Sequence, residues 1–142
     1  MVKYLSRRDT MIQWKESYRL GIEEIDNQHK KLFEIANRAY ELLKNEMLVD
    51  KYDHIVSIIE ELRDYAKYHF QYEEDYMEKI NYRKRLSHKV IHNDFVEKMN
   101  EINLDQVDEN QDQYLMNILD FVVQWIEQHI LGTDKLYATE NQ

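Results

Sequence analysis

The chain has 142 residues, the usual size of one domain and enough to bury one sizeable core. Its 19 basic and 28 acidic residues leave a net charge of −9. That balance argues against nucleic acid, whose binders need a basic patch to displace counterions, and against docking on an anionic membrane. Cysteine and proline are absent and glycine occurs twice, which excludes disulfides, thiolate metal sites and cysteine nucleophiles and disfavours a turn-rich all-β domain. A mean hydropathy of −0.80 and an opening MVKYLSRRDT with no apolar run give neither a spanning segment nor a secretory signal. A cytoplasmic, helical protein is the expectation.

Residues 1–25 lack sustained periodicity and read as an N-terminal arm carrying Trp14 and Tyr18. Asp26 reads as the N-cap of a first helix over 26–45, with Ile25, His29, Leu32, Ala36, Ala39 and Leu43 at helical spacing on one face. A second helix, 50–79, carries Ile55, Ile58, Ile59, Leu62, Ala66, His69, Glu73 and Met77 on its seam. A turn at Asn81-Tyr82 leads to a third helix over 85–102, with His88, His92, Phe95, Met99 and Ile102. The polar stretch 103–110 precedes a fourth helix, 111–131, striped by Leu115, Ile118, Leu119, Val122, Trp125, Ile126 and His129. The fold class predicted is all-α: an antiparallel up-down-up-down four-helix bundle, 26–137, in a single domain spanning 1–142. With no apolar stripe left over, a monomer is expected.

Every seam is interrupted by histidine, and the second also by Glu73. Buried polar groups are costly unless satisfied, and five imidazoles with carboxylates cannot all satisfy one another. A metal resolves the conflict, because each neutral imidazole gives it a lone pair. His69-x3-Glu73 and His88-x3-His92 are i,i+4 pairs that share a helix face. His54, the sixth histidine, lies 15 residues before His69, roughly 22 Å along the axis, and is not expected to be a ligand. Asp134 is the awkward member. Five residues after His129, it sits about 140° around a regular helix, although Gly132 between them could end the helix or permit a widened turn.

These residues resemble the hemerythrin family, whose pattern His…His-x3-Glu…His-x3-His…His-x4-Asp is complete and in order here as His29, His69/Glu73, His88/His92 and His129/Asp134. Flanking matches extend the resemblance over 14–137: Trp14-x3-Tyr18-x2-Gly21, Ile25-Asp26-x-Gln28-His29, His69-Phe70-x2-Glu73-Glu74-x2-Met77 and Trp125-Ile126-x2-His129-Ile130. One departure is Arg83 after Tyr82, where many members have proline.

The resemblance implies a non-haem di-iron centre with an oxo or hydroxo bridge that binds dioxygen reversibly. It implies His88, His92 and His129 on one iron, His29 and His69 on the other, and Glu73 and Asp134 bridging the two. Against the roughly 12 positions of two octahedral metals, these ligands and one bridge leave one open, on the two-histidine side. The bridge further requires the fourth helix to end, widen or kink between Ile130 and Asp134, with Gly132 as the permissive residue. Leu32, Phe33, Phe70, Trp125 and Ile126 are expected to wall an apolar dioxygen pocket, and Tyr137 to support a ligand. The expected role is a carrier, store or supplier of oxygen to an oxygen-using enzyme, rather than an enzyme itself. The competing readings are a sensor, an enzyme acting on peroxide or nitric oxide, and a structural bundle holding zinc.

Overall fold

The computed structural model describes residues 13–45, 47, 51–102 and 111–140, so the arm's first 12 residues and the polar stretch 103–110 lie outside the described residues. Four long helices form the bundle: α1 (Glu23–Lys44), α2 (Tyr52–Lys79), α3 (Arg85–Asn100) and α4 (Gln111–Gln128). A π-helical segment, His129–Asp134, and a short α5 (Lys135–Glu140) continue α4. Helix α1 packs on α2 and α4, and α2 packs on α3. No strand occurs among the described residues, and no helix there is long and apolar enough to cross a membrane.

The start of α1 corrects the sequence reading. The helix begins three residues earlier than Asp26 and its N-cap is Ile22, without a side-chain cap. Asp26 is buried inside the first turns and reaches backwards, accepting hydrogen bonds from the backbone N–H of Leu20 (2.9 Å) and Gly21 (3.2 Å). The carboxylate therefore ties the arm down instead of satisfying its own helix. Gly21 makes the entry possible, since its φ of 92° lies where L-residues are strained. A 3₁₀ turn, Glu16–Tyr18, then lays the arm against the π segment.

The turn at Asn81-Tyr82 is where the sequence placed it. Asn81 adopts φ 58°, its N–H donates to Glu78 O at 3.0 Å, and the N–H of Tyr82 donates to Met77 O at 2.8 Å. This is a Schellman ending with asparagine in the left-handed position, and Tyr82 and Met77 share an apolar cluster beneath it. Reversal here aligns α3 against α2 and brings His88 and His92 opposite Glu73.

The interior is layered. The larger apolar cluster, with Ile35, Ala39, Ile55, Ile59, Leu62, Leu115 and Leu119, fills most of the bundle. A smaller one, of Leu20, Ile25, Met77, Tyr82, Tyr137 and Ala138, closes one end. Between them lies a layer of buried histidines and carboxylates. Two apolar side chains stay in solvent on α3, Leu86 (73% exposed) and Val90 (57% exposed), one turn apart.

Candidate metal centre

Each helix presents its polar group to the interior because the apolar residues on either side of it are buried on the same stripe. His29 comes from α1, His69 and Glu73 from α2, His88 and His92 from α3, and His129 and Asp134 from the π segment; all seven are buried. Their ligating atoms form two overlapping groups, each within 4.8 Å: Glu73, His88, His92, His129 and Asp134, and His29, His69, Glu73 and Asp134. His54 is exposed and belongs to neither.

The π segment brings Asp134 in. In a regular helix the fifth residue after His129 faces away, whereas a widened turn with i→i+5 bonding returns it to the same side. Asp134 is fully buried, and its Oδ1 lies 2.9 Å from His129 Nε2. The expected deviation is present, but the role given to Gly132 is not. Its φ is not positive, and an added Cβ would meet nothing within 4 Å. An L-residue is therefore accommodated there, and the glycine does no more than weaken the helix it interrupts.

Distances across the centre are short and do not form a closed hydrogen-bond network. Asp134 divides its oxygens, Oδ1 lying 3.0 Å from His88 Nε2 and Oδ2 3.1 Å from His29 Nε2. Glu73 Oε1 lies 3.1 Å from His92 Nε2 and 3.4 Å from His69 Nε2. His129 Nε2 is 3.1 Å from the Nε2 atoms of both His88 and His92. Yet His29 Nε2, Glu73 Oε1 and both oxygens of Asp134 are buried without a hydrogen bond of acceptable geometry. Lone-pair donors aimed at one another at such distances suit cations between them, and the residues fit a pair of metals.

Without a metal, charge within the layer is divided unevenly. Burial opposes charge on His29 and on His92, but the neighbouring carboxylates, Asp134 and Glu73 for His29 and Glu73 and Glu74 for His92, outweigh it and raise each to about 9. His69 goes the other way, to about 4, because burial prevails over the pull of Glu73. Burial pushes Glu73 and Asp134 up, as the charge of Asp134 also does for Glu73, but the surrounding histidines hold both below the ordinary carboxylate range.

Support from outside the ligand set was only partly legible. Tyr137 is fully buried and its phenol donates to Glu73 Oε2 at 2.6 Å. Burial, with Glu73 and Asp134 beside it, holds that phenol well above its usual range, so it stays a donor. Two partners were missed. His69 Nδ1 donates to Gln28 Oε1 at 2.7 Å, while Gln28 Nε2 donates to Glu24 at 3.0 Å and so orients the amide. His92 Nδ1 donates to Glu74 Oε2 at 2.9 Å. A proton held on Nδ1 leaves the Nε2 lone pair for the centre. Gln28 and Glu74 each adjoin a ligand in sequence, but their partners lie 41 and 18 residues away, and only the fold pairs them.

Of the expected apolar wall, Phe70 stacks on His92 (4.0 Å between ring centroids, 9° between planes) and Trp125 on His129 (4.3 Å, 13°). Leu32 and Ile126 are buried in the same core. Phe33 is buried too, with its ring against the arm's Trp14 and Tyr18.

A four-helix bundle enclosing a histidine–carboxylate cluster of the di-iron type defines the class. The chain belongs to the hemerythrin family: the family model described as the hemerythrin HHE cation binding domain matches residues 20–140. It is 53% identical over 127 residues to a bacteriohemerythrin of Clostridium acetobutylicum, covering 89% of this chain and 98% of that one. A bacteriohemerythrin of Pseudomonas aeruginosa is 32% identical over 126 residues (88% of this chain, 78% of the relative). A hemerythrin-like protein of Naegleria gruberi is 32% identical over 124 residues (87% and 88%).

Proposed function

We propose that the protein binds dioxygen reversibly at a pair of iron ions joined by an oxo or hydroxo bridge, as a monomeric carrier or store supplying oxygen to an oxygen-using enzyme. The carrying observation is that two buried donor groups share Glu73 and Asp134. In this reading His88, His92 and His129 hold one ion, His29 and His69 the other, and the shared carboxylates join the pair. A metal pair held by these residues would supply the electrons for reversible dioxygen binding.

The chain's own residues favour reversibility. Five imidazoles coordinate as neutral ligands and only two carboxylates bring charge, which favours the lower oxidation states over the high-valent iron that oxidises substrates. Phe70 and Trp125 lie flat against His92 and His129, and with Leu32 and Ile126 they keep water and its protons from the centre. Phe33 seals the arm side. Tyr137 holds Glu73 Oε2 in place through a phenol that does not ionise near neutral pH.

The test is the optical spectrum of iron-loaded protein through repeated anaerobic reduction, air exposure and removal of oxygen, together with metal analysis. Visible bands that appear in air and vanish on deoxygenation over many cycles, with two irons per chain, are expected. One metal per chain, or irreversible oxidation in the first cycle, overturns the reading and favours the enzymatic alternatives.

A further inference from the structure

The charge of this chain is unevenly distributed. Between Glu78 and Asp94 there are five basic residues and no acidic one, leaving 14 basic against 28 acidic residues in the rest. The basic segment is the end of α2, the Schellman turn and the first half of α3. Lys79, Arg83, Lys84 and Lys89 are exposed, and no ion pair engages them among the described residues. Arg85 is anchored, donating to Asn81 Oδ1 at 3.3 Å and to the carbonyl of Tyr82 at 2.9 Å. Leu86 and Val90, the exposed pair on α3, follow Lys84 and flank Lys89, with Asp94 one turn beyond Val90 closing the patch. An apolar centre within a charged rim is the anatomy of a protein interface.

Helical geometry ties the patch to the metal centre. Residues 86 and 90 are two positions out of step with His88 and His92, about 200° around the helix. One face of α3 therefore supplies two buried ligands while the other supplies the patch, so a partner seated there is separated from the centre by one helix's width. This is the three-histidine side. In the di-iron reading the position left for dioxygen would fall on the two-histidine side, so a partner receiving oxygen has no reason to dock here, whereas one delivering electrons does.

We propose that this face of α3 docks a small acidic one-electron carrier protein, a reductant that restores the ferrous pair after accidental oxidation. Two encounters suffice: each carrier loses one electron, each ferric ion gains one, and no bond to the carrier forms. An extended anionic surface such as a membrane or nucleic acid meets the acidic remainder of the chain, while a compact acidic partner covers only the patch within a Debye length of about 8 Å. A second copy paired isologously sets cation against cation. The redox purpose rests on the di-iron reading; docking itself does not.

The experiment titrates two acidic carriers, an oxidised flavodoxin and an oxidised rubredoxin, against iron-loaded protein and against redox-silent zinc-loaded protein. Binding of at least one carrier to both forms is expected, weakening about tenfold between about 20 and about 200 mM salt. Lys84→Glu/Lys89→Glu and, separately, Leu86→Asp should each weaken it about tenfold or more, while Lys67→Glu on exposed α2 surface leaves it unchanged. The double variant should also slow reduction by the carrier about tenfold without slowing reduction by dithionite. Failure of both carriers to bind, indifference to these substitutions, capture of phosphatidylglycerol vesicles by the same lysines, or self-association at low salt overturns the proposal. If zinc-loaded protein binds while the iron-loaded protein shows no reversible oxygenation, docking stands and the di-iron reading falls.

Discussion

Ile55, Ile59 and Leu62 pack into a wholly apolar core in the first half of α2, while His69 and Glu73 of its second half face five other buried polar side chains. The two regions share helices, burial and spacing. In the first, each side chain gains free energy by leaving water, about 1.5–3 kcal/mol for a large aliphatic one. In the second, desolvation is a cost, recovered only when something satisfies the converging donors. The bundle is thus self-sufficient at one level and ligand-dependent at the next, and substitutions in the two should fail differently.

The largest effect belongs to the shared carboxylate. Glu73→Ala should reduce metal content from two ions to one or fewer while the bundle stays helical, as metal analysis and circular dichroism would show. Retention of two ions would mean that Glu73 is not needed to hold the pair. In the apolar half, Ile55→Ala should destabilise by about 2–5 kcal/mol in denaturant titrations with the metal content of the folded protein unchanged. Loss of metal there would erase the contrast between the two regions.

Next comes pH, which should act on the polar layer alone. In metal-free protein His29 and His92 sit near 9, above their ordinary 6.5. Their stabilisation is full below 6.5 and lost as pH rises through 9. His69, lowered to about 4, contributes above 6.5 and loses that contribution as pH falls through 4, as Glu73 and Asp134 do in acid. Metal-free protein should therefore melt highest near neutrality and lower on both sides. Metal binding requires neutral imidazoles, so the loaded protein should not show the alkaline loss. Identical melting profiles for the two forms above pH 7 would contradict this coupling.

Smaller again is Gln28→Leu, which leaves every ligand in place but removes the acceptor on His69 Nδ1. It should lower metal affinity about 10- to 100-fold in chelator competition, and cost the metal-free chain about 1–3 kcal/mol in denaturant titrations because the buried His69 Nδ1–H is left without an acceptor. His54→Ala is the control: exposed and remote from both donor groups, it should change stability by less than about 0.5 kcal/mol and metal content not at all.

The four helices, their inward faces and six of the seven converging residues were legible in the sequence, because apolar period and polar interruption are written in the same register and burial obeys both; only the family resemblance placed Asp134 with them. The turn at Asn81-Tyr82 was legible for the same local reason. What tertiary structure decided is whatever depends on partners far along the chain. Asp26 looked like a cap until the arm folded back and offered it the N–H groups of Leu20 and Gly21. Gln28 and Glu74 gained roles only when helix packing set them beside His69 and His92. Asp134 is the sharpest case: local rules point it to solvent, and the flexible residue beside it turns out not to be required. Its carboxylate faces inward because α4 widens into a π turn where histidines from three other parts of the chain converge, a condition no window of sequence contains.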